Sequence, residues 1–527
     1  SLLGQKGWAP WRQAIATIHS DPSNALARER LAYDEIFANQ LAFALIRQSN
    51  RKRKGLALQG DGHLRDALRL PFALTGAQLR VAAEIARVGL VQAALGAVVV
   101  VTTSTLNRVM VVELALPALL PGFLVALHYL VQMARPRMGH GSDVGGRRTP
   151  WIVGGMALLG VGGVVAALGT VWMATHRPAG IALAVLGFTL VGLGVSASGT
   201  SLLVMLAKRV PDARRGGAAT LVWMMMIAGF AITAGLAGKW LDPYSPERLL
   251  LVTSTVSLLA FGVTLLALRG LEGHVTHAAQ AQAGHVAKPD FRQALSEVWR
   301  EPVARRFTVF VFVSMLAYSA QDLILEPFAG TVFGYSPGAS TQLSGVQHGG
   351  VLCGMLLVAF SGALAARFTA LRWLGSLRGW TIGGCIASAF ALLGLVMAGV
   401  SGQGDALKAL VFGLGAANGA FSIGAIGSMM RLANEGQGSR EGVRMGLWGA
   451  AQAIAFGLGG LVGTGASDLA HLLISAPGTA YAFVFALEAL TFIAAALLAW
   501  RISAPPPRSA AASPSRTVGV AIGAPRG

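Results

Sequence analysis

Charge is what this sequence has least of. Only 12% of its 527 residues are Asp, Glu, Lys or Arg, about half of the roughly 25% that a water-soluble domain carries. So little polar surface cannot clothe a globule of this length in water. With 54% hydrophobic residues, lipid is the expected solvent for most of the chain. Carboxylates are scarcest, 23 Asp and Glu against 42 Lys and Arg, for a formal net charge of +19. There are two cysteines, Cys353 and Cys385, both inside apolar runs, which excludes a disulfide framework or a zinc-finger-type site. No Gly-x-x-x-x-Gly-Lys-Ser/Thr loop occurs, since Gly238-Lys239 is followed by Trp240, so no nucleotide-hydrolysing motor is visible. Nor does a nucleophile, base and orienter set suggest an enzyme. No cleavable signal peptide is visible, and with Ser rather than Met as its first residue the chain reads as a fragment or processed product.

What is abundant is glycine, 68 residues, which membrane helices use to bring backbones close. From Val88 onward the hydropathy predicts about twelve spans, each near the roughly 20 residues that cross a hydrocarbon core. They fall at 88–108, 114–134, 151–172, 179–206, 217–238 and 249–269, then at 306–326, 341–365, 379–400, 406–430, 444–466 and 479–500. The basic residues sit in alternate gaps: Arg135, Arg137, Arg147 and Arg148; Lys208, Arg209, Arg214 and Arg215; Arg300, Arg305 and Arg306; Arg367, Arg372 and Arg378; Arg431, Arg440 and Arg444. That asymmetry places both termini of the membrane unit in the cytoplasm. The two sets of six spans around a polar linker at 271–305 suggest duplicated halves, 87–270 and 306–501, with a central site between them. The tail, 502–527, is rich in Ala, Pro, Ser and Arg and is expected to be disordered.

Several residues stand out within that frame. Gly139-His-Gly-Ser-Asp143-Val-Gly-Gly146-Arg147-Arg148, between spans two and three, fits Gly-x-x-x-Asp-x-x-Gly-Arg-Arg. It is similar to the loop signature of the major facilitator superfamily and lies in the expected gap. Its glycines permit tight turns, Asp143 can pair with an Arg or cap a helix, and the two arginines hold the loop at the membrane surface. Asn107-Arg108 closes span one, followed by Glu113, and Gln321-Asp322 closes span seven, followed by Glu326. If the halves are repeats these positions correspond, and Arg108 with Asp322 is a candidate ion pair between the halves, against the plainer reading that both face water at the interface, while Asn107, Gln321 and Glu326 are candidate cavity or pigment contacts. His128 and His348 lie inside spans two and eight. A neutral imidazole there either hydrogen-bonds within the bundle or ligates the magnesium of a chlorin pigment. Trp223, Met224, Met225 and Met226 in span five, with Trp448 and Gln452 in span eleven, either pack the core or line an apolar cavity suited to a flat hydrophobic ligand.

Over about Arg87 to Trp500 the chain resembles the PucC-type, or bacteriochlorophyll-delivery, family of the major facilitator superfamily. The strings that carry the resemblance include Leu90-Val-Gln-Ala-Ala-Leu-Gly, Thr102-Thr-Ser-Thr-Leu-Asn-Arg-Val-Met, Ala126-Leu-His-Tyr and Gly199-Thr-Ser-Leu-Leu. Gly139 through Trp151, Leu325-Glu-Pro-Phe-Ala-Gly-Thr-Val-Phe-Gly and Gly446-Leu-Trp-Gly-Ala-Ala-Gln-Ala complete the set. The resemblance implies an all-α fold of two six-helix halves in a bacterial inner, intracytoplasmic membrane. It also implies a non-enzymatic role in delivering bacteriochlorophyll or a precursor, as cargo rather than permanent cofactor, to light-harvesting or reaction-centre apoproteins. A rival reading is a secondary transporter of a small solute, which would want charged groups at mid-membrane depth.

Residues 1–86 differ in composition. Asn24 to Arg47 reads as one amphipathic helix, with Leu26, Leu31, Ile36, Leu41 and Leu45 near helical spacing, followed by the basic cluster Arg51, Lys52, Arg53 and Lys54 and a short helix from Gly76 to Ile85. Arg30-Leu-Ala-Tyr-Asp-Glu-Ile-Phe-Ala-Asn-Gln-Leu-Ala-Phe-Ala-Leu and Leu70-Pro-Phe-Ala-Leu-Thr-Gly-Ala-Gln-Leu-Arg-Val-Ala-Ala-Glu-Ile resemble the RecG helicase family where its wedge joins its motor. The motor's nucleotide loop and acidic motif do not follow, so unwinding is not expected and nucleic acid is not an expected partner. The junction near Ala86 reads either as a genuine fusion or as a chimera. A third functional reading is a helicase-like DNA-binding remnant, which predicts steep salt dependence.

Overall fold

The computed structural model describes residues 6–21, 23–35, 76–134, 147–210, 212–271, 296, 299–368, 375–435 and 441–502. By its internal contacts the chain divides into two compact units, Ser1–Gly76 and Ala77–Gly527. In the first, α1 (Trp11–Ser20) precedes α2 (25–35). Asn24 starts α2, its Oδ1 accepting from the Ala27 backbone N–H at 3.0 Å. Trp8 is buried against Tyr33, with ring centroids 5.1 Å apart. The rest of the amphipathic helix expected to reach Arg47, and the basic cluster after it, lie outside the described residues.

The second unit is all helix among its described residues. The first six-helix half holds α3 (Gly76–Val100, continuing to Glu113), α4 (Leu119–Val131), α5 (Thr149–Trp172), α6 (Arg177–Arg209), α7 (Asp212–Leu241) and α8 (Pro246–Leu268). The second holds α9 (Pro302–Phe333), α10 (Pro337–Arg367), α11 (Leu377–Ser401), α12 (Leu407–Glu435), α13 (Glu441–Leu473) and α14 (Pro477–Ile502). Eleven of these helices are long and apolar enough to cross a membrane, and α4 is the shorter twelfth. α4 starts late because Ala115 takes a positive φ of 48° and Pro117 follows before the helix begins. Leu258, Leu266, Phe360, Phe390 and Leu472 are among the exposed large side chains, an outer surface suited to lipid.

Two expected boundaries move. Gly76 to Ile85 is no separate helix, because it runs unbroken into the first span, with no proline or turn residue between them to stop it. The compositional change near Ala86 therefore falls inside α3, and the compact units divide at Gly76 instead. Spans one and seven also run further than hydropathy suggests. α3 continues through two π-helical turns, Val101–Thr105 and Val109–Glu113, on either side of Leu106–Arg108. α9 passes through Glu326 and Pro327 and ends only at Gly334, which takes the left-handed conformation that closes a helix.

Small residues set the helix spacing. Gly155, Gly162 and Gly169 on α5 face Gly180, Gly187 and Gly194 on α6, a seven-residue stripe on each. A Cβ at Gly162 would stand 2.7 Å from the Val191 backbone nitrogen, so the two backbones touch in the manner membrane helices use in place of a hydrophobic drive. On the arginine-bearing side, basic residues tie helix ends together. Arg87 donates to the Ala267 carbonyl at 2.8 Å and to the Arg269 carbonyl at the end of α8, and Arg209 pairs with Glu84 at 3.1 Å. The halves meet along two crossings that the repeat would interchange, α7 against α10 and α4 against α13.

Candidate functional site

Between the halves lies a cavity of about 870 Å³, near the upper end of ordinary ligand pockets. Its wall takes residues 92–104 of α3, 219–230 of α7, 307–323 of α9 and 449–456 of α13. It also takes 195–204 of α6, 344–355 of α10, 422–426 of α12, and 125–132 of α4 and the turn after it. On α6, α7, α12 and α13 these stretches lie toward the ends next to the arginine-bearing loops, and on α3 and α10 near the middle of the helix, so the cavity is central in the bundle. The lining is mostly apolar and aromatic, with Tyr129 stacked on Phe456 across the halves at 5.4 Å.

Of the eight residues nominated as cavity contacts, four line it: His128, Trp223, His348 and Gln452. Gln452 directs its amide toward the Met315 sulfur at 3.9 Å. Trp448 does not line it. It is 1% exposed, packs against Phe307 with centroids 4.8 Å apart, and turns its indole N–H toward the Ala304 carbonyl at 3.5 Å. Asn107, Gln321 and Glu326 are buried between helices, away from the cavity wall. Asp322, nominated for another role, does line it.

The expected pairing of Arg108 with Asp322 is not formed. Arg108 bonds Glu113 at 3.0 Å, five residues along its own helix, and the Tyr335 carbonyl of the other half at 2.8 Å. Burial explains the choice: the guanidinium is 2% exposed and needs several acceptors at once. It fills the space beside Gly330, where a Cβ would come within 2.4 Å of its Nε. Asp322 accepts instead from the Gln347 amide at 2.9 Å. Glu326 takes the short hydrogen bond of Ser104, whose Oγ is also 3.1 Å from that of Ser344. Near Glu113, burial raises the Tyr244 hydroxyl above its usual range, and the Glu113 charge adds to it.

Asn107 has a role that sequence reasoning missed. Proline cannot donate to the carbonyl four residues before it, so Pro327 frees the carbonyl of Leu323. Asn107 supplies the absent donor, its Nδ2 lying 2.7 Å from that oxygen across the interface. A proline inside an apolar run, with an Asn inside the first span of the other half, was the available signal.

On the side away from the arginines two carboxylates bridge the halves, neither of them nominated from the sequence. Asp468, on the last turns of α13, accepts from the backbone N–H groups of Ala118 and Leu119 at 2.8 Å each. Asp242, just beyond α7, accepts from the Ser336 hydroxyl at 2.7 Å and the Gly338 N–H at 3.1 Å. Each sits at the N-terminal end of a helix in the other half, where an anion is favoured, and the two sites interchange under the six-plus-six repeat. Of the loop motif, Arg147 and Arg148 are described and lead into α5, with Arg148 buried. Gly139, Asp143 and Gly146 lie outside the described residues.

Two six-helix halves around a central cavity, bridged by carboxylates at one end, define a polytopic membrane protein of the major facilitator type. Solved transporters share the fold. A bacterial homologue of the human lysosomal transporter Spinster, solved in an inward-facing and occupied conformation, superposes with a TM-score of 0.57 at 14% identity, covering 80% of this chain and 96% of that one. The D-xylose–proton symporter does so with 0.57 at 16% identity, covering 80% and 97%. The family model described as PUCC protein matches residues 105–506, and the chain belongs to that family. It is 51% identical over 416 residues to the "Bacteriochlorophyll synthase 44.5 kDa chain" of Rhodobacter capsulatus, covering 79% of this chain and 94% of that protein. It is 30% identical over 446 residues to "Protein PucC" of Cereibacter sphaeroides, covering 80% and 92%. A separate stretch of 61 residues is 48% identical to the ATP-dependent DNA helicase RecG of Thermotoga maritima, 11% of this chain but 8% of that protein.

Proposed function

We propose that this protein carries bacteriochlorophyll, or a precursor with the same macrocycle, to light-harvesting or reaction-centre apoproteins as they assemble. The carrying observation is the cavity: about 870 Å³, walled mostly by apolar and aromatic side chains with polar ones set among them. It lies in a chain half identical to a protein named for bacteriochlorophyll synthesis. In this reading the protein is a carrier and not a synthase, the pigment is cargo, and the two halves rock about their shared crossings to present it. The arginine distribution supports both termini of the membrane unit facing the cytoplasm, in the inner membrane of a photosynthetic bacterium. Arg147 and Arg148, with the rest of the loop motif, then couple the halves at that face. We assign no unwinding activity to the helicase-like stretch.

One observation favours a second reading, secondary transport of a small solute. Asp322 stands in the cavity wall, where a carboxylate can exchange a proton with the cargo path.

The test is to delete the gene in its photosynthetic host and follow pigment and complexes together. Pigment carriage predicts that the light-harvesting absorption bands fall while pigment precursors are still made, and that the full-length gene restores the bands. Unchanged bands refute it, and accumulation of an unfinished macrocycle points to a synthetic role instead.

A further inference from the structure

The two histidines of the cavity are not equivalent. His128 has its Nε2 2.9 Å from the Gln132 amide nitrogen, one turn along α4. That nitrogen is already engaged, whichever way the amide is turned. His348 is arranged the other way round. Its Nδ1 lies 2.9 Å from the Ser344 carbonyl, which can only accept, so Nδ1 carries the proton and the lone pair is left on Nε2. The Ser344 contact is the hydrogen bond that the ring makes among the described residues, and the side chain lies in the cavity wall.

A neutral imidazole with its far N–H anchored on a carbonyl is the arrangement that metal-ligating histidines use, because the anchor fixes the tautomer, aims the ring and makes the free nitrogen more basic. The surroundings are those a flat apolar ring would meet. Phe230 stands edge-on to the imidazole, with centroids 5.0 Å apart and planes at 84°. Trp223 and Met226 continue the same wall of α7. Among the described residues no cluster of three or more His, Cys, Asp or Glu could hold a free metal ion. A single nitrogen facing an apolar wall suits instead a metal whose other ligands come with it.

We infer that His348 Nε2 is the axial ligand to the magnesium of a tetrapyrrole held in this cavity, and that His128 is not. The inference rests on the pigment-carrier reading and names the atom through which the cargo is recognised. It makes the protein select metallated macrocycles over metal-free ones.

The experiment uses the full chain in detergent or nanodiscs, titrated with bacteriochlorophyll a and with bacteriopheophytin a, the same macrocycle with two protons in place of magnesium. The readouts are affinity and the position of the Qx band, which reports the coordination number of the magnesium. The wild type is expected to bind the magnesium pigment tighter by about tenfold or more and to shift its Qx band. His348→Ala and His348→Leu, neither of which offers a ligand atom, should bring the two affinities within about twofold of each other, while still binding the metal-free pigment, which shows that they are folded. Added imidazole should restore the Qx shift in His348→Ala and leave His128→Ala unchanged. Equal wild-type affinities, or a preference that survives both His348 substitutions, would overturn axial ligation and leave pigment carriage standing. Binding of neither pigment by the wild type would overturn the carrier reading and this inference with it.

Discussion

Asn107→Ala removes the donor that reaches the Leu323 carbonyl at 2.7 Å. A buried polar group left without its partner costs about 1–3 kcal/mol, whereas hydrogen bonds between membrane helices average only about 0.6 kcal/mol. Asn107 also carries a cost of its own, since its Oδ1 is buried with no partner, and truncation relieves that. The expected loss is therefore about 1 kcal/mol, toward the lower end of the range. The decisive step is to repeat the change in a Pro327→Ala background. Alanine at 327 restores a backbone N–H one helical turn from Leu323, so the carbonyl regains a partner within α9. There Asn107→Ala should cost less than about 0.5 kcal/mol, close to the limit within which independent changes add. The assay is reversible unfolding of all four proteins in mixed micelles with increasing denaturing detergent, followed by tryptophan fluorescence. Additive costs would show that Asn107 does not stand in for the N–H that Pro327 lacks, and the account of this interface would fail.

Two further outcomes follow from the same interface. Asp242→Asn with Asp468→Asn removes two anions from helix N-terminal ends, each contributing about 0.3–1 kcal/mol. The double variant should raise labelling of a cysteine placed at Ser104 by a membrane-impermeant thiol reagent added from the side away from the arginines. Unchanged labelling would mean that the two carboxylates do not hold that side shut. Gly330→Ala puts a methyl group where the Arg108 guanidinium lies, and overpacking of this kind costs about 1–3 kcal/mol. Adding Arg108→Ala should recover part of the loss in the same unfolding assay, and no recovery would remove Arg108 as the cause.

By itself the sequence determined the solvent and the plan. Twelve apolar runs, so few charges and arginines in alternate gaps are statements about transfer into lipid, which each segment obeys almost independently of the others. The family strings and the six-plus-six division were legible for the same reason, because they lie along the chain. The ends of spans one and seven were not, since Glu326-Pro327 looks like a stop in an isolated segment. It ceases to be one only when Ser104 and Asn107, more than two hundred residues earlier, supply the hydrogen bonds. Only the tertiary structure decided that Arg108 takes Glu113 and Tyr335, that Trp448 packs away from the cavity while Asp322 faces it, and that Gln132 engages Nε2 of His128 while Ser344 anchors Nδ1 of His348. The physical reason is common to all three. Which partner comes within about 3 Å of a polar group is set by how the helices and the two halves cross, something no local pattern of residues records.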